Sequence, residues 1–295
     1  MPGLLSDWND VMDGAEIAAN KPFTVTSPLS AMTTLPLADA AVTQGVATEA
    51  DPLQIVIRFS SKRFISYAGL LDTNLRQTGF VRCEAFGDLD LTQQLRTTVR
   101  ADGRDRRVIP PALHPRGIRF GASNWLLGTL PARDFRLRPT HVHVTWPVCR
   151  AMAIRWTIWG QSYAADGHDD TRYRFGHAWS GDGITLSRHA GSSDGITFGG
   201  QSITTPAGDV WPEPGTVKRR VVIDQQVLRS WDRDAVADLA QRVRLDLPVI
   251  WLPNVASAAD CWRYGGLFRR VGDHDQQHLP RRMASTTIAL TEWTE

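Results

Sequence analysis

"LQIVIRF", Leu53 to Phe59, is the stretch on which the fold turns. Leu53, Ile55, Ile57 and Phe59 alternate with Gln54, Val56 and Arg58, and a period of two with one apolar side marks a half-buried strand. The same pattern recurs on both sides of it. "VRCEAF" turns Val81, Cys83 and Ala85 one way and Arg82 and Glu84 the other. "HVHVTW" sets Val142 and Val144 against His141, His143 and Thr145. "MAIRWTIW" sets Met152, Ile154, Trp156 and Ile158 against Ala153, Arg155, Thr157 and Trp159. Strands this dense, broken by Gly, Pro and Asp turns, predict a β-sandwich over residues 1–165.

After Gly160 the texture changes. The Gly-, Asp- and Ser-rich run that follows repeats "DGIT" at Asp182–Thr185 and Asp194–Thr197, a tight-turn signal that predicts one or two exposed hairpins. "VKRRVVID", "PVIWLPN", "YGGLFRRV" and "ASTTIALTEW" read as further strands. Between the first two, "DAVADLAQRV" places Val236, Leu239, Ala240 and Val243 on one helical face, with Asp238, Gln241 and Arg242 opposite. Residues 166–295 are therefore predicted to form a small β-barrel with one flanking α-helix, its apolar stripe laid on the barrel.

The chain has 295 residues, 42% of them hydrophobic, and a formal net charge of +2. The length suits two domains, each with its own core. A near-neutral charge argues against a general nucleic-acid binder, and no apolar run is long enough to insert into a membrane. The short acidic start does not read as a secretion leader. Cys83, Cys149 and Cys261 are odd in number and widely spaced, and read as buried small hydrophobes rather than a disulfide framework. Lysine occurs only at Lys21, Lys62 and Lys218, so arginine carries nearly all the positive charge. Its planar fork suits interfacial ion pairs, although Arg-rich codon usage would produce the same count.

Catalytic motifs are missing: there is no G-x-S-x-G elbow, no H-E-x-x-H, no P-loop and no G-x-G-x-x-G after a strand. Asp169 and Asp170 are adjacent, which does not set two acids across a cleft. His141 and His143 share a strand face and His274 and His278 stand at i and i+4, but neither pair has a third ligand beside it. They read as solvated histidines, so no metal, no cofactor and no enzymatic activity are expected.

Two features remain for contact with other molecules. The long loop Ala101–Gly121 carries Arg104, Arg106 and Arg107, and among the eleven tryptophans Trp179 and Trp211 fall in Gly- and Pro-rich stretches. An exposed indole there would anchor a protein interface or stack on a sugar, the first reading being preferred. Trp146, Trp156 and Trp159 lie within strand patterns and read as core or inter-domain filling.

The stretches Asp51–Leu75, "FGHAWSGDG" (Phe175–Gly183), "PVIWLPN" (Pro248–Asn254), "YGGLFRR" (Tyr264–Arg270) and "STTIALTEW" (Ser285–Trp293) together resemble tail-tip and distal-tail proteins of long-tailed bacteriophages, which implies that the sandwich is of the galactose-binding or jelly-roll type and the barrel similar to the tail-tube subunit. The order of sandwich before barrel is the reverse of the common distal-tail arrangement. The resemblance implies a structural protein of the virion tail, made in the host bacterial cytoplasm and placed in the tail tip, distal tail or baseplate. Its barrel would close a homo-oligomeric ring, six-fold or three-fold, next to tail-tube, tape-measure and tip proteins. The alternative is a carbohydrate-binding module whose loops hold a host-surface glycan. A cell-envelope hydrolase is a third reading, for which no assembled site is visible.

Overall fold

The computed structural model describes residues 3–7, 12, 14–34, 39–75, 79–108, 140–160, 171–186, 193–198, 202–204, 210–212, 217–228, 230–242, 247–272, 276–279 and 283–293. The chain is mainly β and divides into two compact units, neither of them continuous in sequence. One comprises Met1–Trp8, Ile184–Asn254 and Gly266–Thr294, the other Asn9–Gly183 and Val255–Gly265. The domain boundary expected near residue 165 lies outside the described residues.

Strand β1 (Gly3–Asp7) belongs to the first of these units. The second is built from β2 (Glu16–Ala19), β3 (Ala41–Val42), β4 (Leu53–Thr73), β5 (Phe80–Phe86), β6 (Gln94–Thr97), β7 (Arg106–Arg107), β8 (Thr140–Trp159) and β9 (Arg174–Gly181). They form one antiparallel sheet in the order β3-β9-β4-β8-β5-β6, with β2 added to β4 and β7 to β5. The long strands β4 and β8 hold it together. They pair from Leu53↔Ile158 to Thr73↔Thr140, with register shifts between Arg58 and Arg63 and again beyond Ile65. Such bulges bend a strand and let it pass from one layer to the next.

The alternation read from "LQIVIRF" is present: Leu53, Ile55, Ile57 and Phe59 are buried. So are Val81, Cys83 and Ala85 of β5 and Ile154, Trp156 and Ile158 of β8. These residues share one core with Ala68, Leu70, Val142, Val144 and Phe175, so the two halves of the sheet close on a common interior, as a sandwich requires. Cys83 and Cys261 are buried and Cys149 half-buried, and all three are free thiols.

The first unit adds β10 (Ile184–Leu186), β11 (Ser193–Phe198), β12 (Ser202–Thr204), β13 (Val210–Pro212), β14 (Val217–Leu228), β15 (Pro248–Leu252), β16 (Gly266–Arg270), β17 (Gln276–Leu279) and β18 (Met283–Glu292), with helix α1 (Ser230–Arg242). Its main sheet runs β10-β1-β15-β16-β18-β14-β11 with β17 beside β18, while β12 and β13 pair separately. Among the described residues the main sheet is open, ending at β10 and β11, and does not close into the expected barrel. The two "DGIT" segments are not two arms of a hairpin either. Residues of the first lie in β10 on β1, and the second lies in β11 on β14.

The place of β1 was not foreseen. It pairs with β15 through Leu4↔Leu252 and Leu5↔Trp251, because Leu5 is an apolar residue of the core formed by Leu186, Val221, Ile223, Trp251, Phe268 and Leu290. Gly3 permits this: a Cβ there would sit 2.5 Å from the Trp251 ring.

Helix α1 turns Val236 and Leu239 into the same core, as its stripe predicts; Val243 lies outside the described residues. Leu239→Ala is expected to lower this unit's stability by about 2 kcal/mol, at the low end for a buried leucine because the helix covers a small core and can settle inward. Chemical denaturation followed at the α1 amides by hydrogen exchange measures it. A change under about 0.5 kcal/mol would show that α1 contributes nothing to this core.

A second helix, α2 (Ala258–Tyr264), departs from the expectation of one helix. Its signals are in the sequence: Ser257 caps it by accepting a hydrogen bond from the Asp260 N–H at 3.2 Å, and Gly265 follows its last turn.

Candidate functional site

The outward face of the sandwich sheet builds a cleft from cross-strand pairs. Antiparallel register sets Phe80 opposite Trp159, Arg82 opposite Thr157 and Glu84 opposite Arg155, and all six face away from the core because their neighbours Val81, Cys83, Trp156 and Ile158 face into it. Phe80 and Trp159 stack with ring centroids 5.3 Å apart and planes 12° apart. Arg155 donates to Glu84 at 2.8 Å and lies 4.9 Å over the Phe86 ring. Strand β4 adds Gln54, which is paired with Thr157.

The upper wall is the turn between β6 and β7. The Gly103 N–H donates to the Arg100 carbonyl and the Arg100 N–H to the Arg104 carbonyl, while the Arg104 N–H donates to the Asp102 carboxylate at 3.1 Å. Gly103 takes φ +77°, which a side-chain-bearing residue adopts only with strain. Strand β7 then pairs with β5 through Phe80↔Arg107 and Val81↔Arg106. The cleft between turn and sheet has a volume of about 1130 Å³ and includes Gln54, Phe80, Trp159 and six arginines in its lining.

Two of those arginines are tied. Arg82 donates to both carboxylate oxygens of Asp105, at 2.6 and 2.8 Å, a bidentate contact that raises the Arg82 pKa above its ordinary value. Arg155 is held by Glu84. Arg106 donates to the His143 carbonyl at 2.9 Å, and its burial lowers its pKa from the usual guanidinium value. Arg100, Arg104 and Arg107 are exposed.

Of the residues expected to make contacts, Arg104 and Arg107 come together at this cleft, while the Arg106 side chain, opposite Val81, turns to the core side. Trp179 does not join them. It is an inner-strand residue of β9, 2% exposed, with its ring edge-on to His177 at 6.1 Å, and is no surface platform. Trp211 lies in β13 opposite Ile203, and its side chain is outside the described residues. Trp159, read as filling, is half-buried: it packs against the sandwich core and also lines the cleft. The signal was in "MAIRWTIW", where Trp159 falls on the same face as Arg155 and Thr157 and opposite Ile154 and Trp156.

The histidines are not solvated as expected. His141 and His143 are buried, their rings 5.7 Å apart. The Asp72 N–H donates to His141 Nδ1 at 3.0 Å, and the Tyr67 hydroxyl meets His143 Nδ1 at 2.8 Å. His278 stands in β17, a strand, so an i, i+4 helical pair with His274 is not formed. His274 lies outside the described residues. Among the described residues no three His, Cys, Asp or Glu side chains gather as metal ligands, and no helix is long and apolar enough to cross a membrane.

No protein-family model matches the chain, and no curated protein does. The solved structures it is similar to include carbohydrate-binding and lectin modules and a GH29 fucosidase. The lectin domain of Lectinolysin, complexed with Lewis B antigen, is 5% identical over 59% of this chain and 96% of that one, with a TM-score of 0.35. A Streptococcus pneumoniae fucose binding module gives 5%, 59%, 94% and 0.35 in the same order. CBM32-3 from a family 31 glycoside hydrolase of Clostridium perfringens gives 10%, 57%, 90% and 0.34. At TM-scores this low the likeness decides nothing about function.

Proposed function

We propose that the sandwich unit is a non-catalytic glycan-binding module, with the sugar seated in the cleft against Trp159. The observation that carries this is the indole backed by Phe80 and set beside a row of hydrogen-bonding side chains. A pyranose has an apolar C–H face and a rim of hydroxyls. The flat indole accepts the face, while Gln54, Thr98 and the arginine forks are suited to the rim. Stacking the indole on Phe80 holds its plane, which lowers the cost of ordering it on binding. Asp105 is committed to Arg82 and Glu84 to Arg155, so neither is poised as a general acid or base. Calorimetric titration with glycans selected on an array is expected to show binding that weakens at least about tenfold in Trp159→Ala. Equal affinity in that variant would remove the sugar from this cleft.

A second reading rests on the sequence resemblance and on the open sheet of the first unit. Among the described residues β11 ends that sheet and carries Ile196 at 62% exposure, and an edge of unpaired backbone groups with an apolar side chain is suited to pairing with a neighbouring copy. The chain would then be a tail-tip component of a virion, carrying its glycan-binding unit in a homo-oligomeric ring. Electron microscopy of the purified chain is expected to show closed rings. A monomer at every concentration tested would count against ring formation.

A further inference from the structure

We propose that the glycan is anionic, a sugar bearing carboxylates, and that Arg100, Arg104 and Arg107 read its charge. This rests on the glycan-binding reading and names the ligand class for the same cleft. Its lining contains six arginines against two carboxylates, Glu49 and Asp105. Arg82 is matched by Asp105, and Arg155 by Glu84 just beyond the lining. Arg106 is opposite Val81 and so turns to the core side, where it donates to the His143 carbonyl. That leaves Arg100, Arg104 and Arg107, with Glu49 in the lining and the Asp102 carboxylate on the turn itself. Among the described residues none of these three forms an ion pair. Three guanidiniums on one short turn and strand repel one another, and an anion placed between them relieves that repulsion.

Their arrangement is particular to a sugar acid. Arg107 is the cross-strand partner of Phe80, which is itself opposite Trp159, so a cation stands one strand away from the aromatic platform. A uronic-acid or sialic-acid ring has the same two parts, an apolar face and a planar carboxylate that a guanidinium fork can grip bidentately. The turn reinforces this on the other side: Gly103 and the Asp102 contact fix the backbone that carries Arg100 and Arg104. A single-stranded nucleic acid would also offer rings and negative charge. It needs a basic track running beyond one ring, whereas this chain has a net charge of only +2 and places Glu49 in the same lining.

The test is calorimetry on the whole chain with acidic oligosaccharides, uronate oligomers and sialylated glycans, each beside its carboxyl-reduced form, and with oligothymidylate. At least one acidic form is expected to bind about tenfold or more tightly than its reduced form. That preference should shrink at about 0.5 M salt. Arg107→Ala and the double variant Arg100→Ala/Arg104→Ala should weaken the acidic form far more than the reduced form, so that the preference is lost. Arg107→Lys should restore only part of it, since the charge returns without the fork. Trp159→Ala should weaken both forms alike. Acidic and reduced forms binding equally would overturn the anionic assignment while upholding the glycan reading. No binding of any glycan, or tighter binding of oligothymidylate, would overturn both.

Discussion

Replacing Trp156 by alanine is expected to cost the sandwich unit about 3–5 kcal/mol, the largest single loss anticipated for this chain. Trp156 is fully buried near the C-terminal end of β8, where it pairs with Ile55 on one side and Cys83 on the other. Both neighbours belong to the same core, together with Tyr173 and Phe175. Alanine would leave a cavity between three strands already fixed by their backbone ladders, so little collapse can fill it. The indole N–H finds no acceptor among the described residues. Trp156→Phe should therefore lose much less, because it removes ring volume and an unsatisfied donor together. Hydrogen exchange at the β4 and β8 amides separates this unit's transition from the other's. A loss below about 1 kcal/mol in the alanine variant would mean that the ring is not at the centre of the core.

Acid is expected to weaken the same unit by about 3 kcal/mol through His177 alone. This side chain is fully buried on β9, its Nδ1 3.2 Å from the Thr34 carbonyl, which requires that nitrogen to carry the proton and donate. Burial lowers its pKa from 6.5 to about 4, opposed only by that hydrogen bond. The unfolded chain takes up a proton as the pH drops below 6.5, while the folded chain does so only near 4. Stability therefore falls with pH through that window and levels off beneath it. The drop between about pH 6.5 and 5 is diagnostic, since most carboxylates are still ionised there. His177→Gln, which can still donate to Thr34, should flatten that part of the profile. An unchanged slope in the variant would assign the acid sensitivity to other groups.

Much of the sandwich was legible because a strand with one wet face alternates strictly. "LQIVIRF" sorts its residues as the structure does, and Val81, Cys83, Ala85, Ile154, Trp156 and Ile158 are buried as read, while Glu84, Ala153 and Thr157 on the opposite faces are buried as well. Strand β9 was not legible. Phe175 to Gly181 is buried throughout, so no polar side interrupts it, and its glycines imitate a loop; that is how Trp179 came to be read as exposed. Residues 59–62 hid the length of β4, because the bend turns Ser60, Ser61 and Lys62 outward together and breaks the period. Arg104, Arg106 and Arg107 stood out by their density. Arg82 and Arg155 did not, because their meeting with Asp105 and Glu84 depends on cross-strand register that no local pattern specifies. The open second sheet and the placement of β1 depend on long-range pairing in the same way.

The course of the chain through its two units has a consequence for synthesis. The ribosome delivers β1 well before its partners: β1 is flanked by β10 and β15, and β15 in turn leans on β16 and β18. The strands of the sandwich all emerge between β1 and β10, so that unit can assemble its strands during translation and lacks only Val255–Gly265. Throughout that interval Leu4 and Leu5 have no core to enter. Strand β1 is then an apolar segment waiting for distant partners, the species on which a chaperone or a premature neighbour would act, and pulse-labelled nascent chains should show β1 protected last.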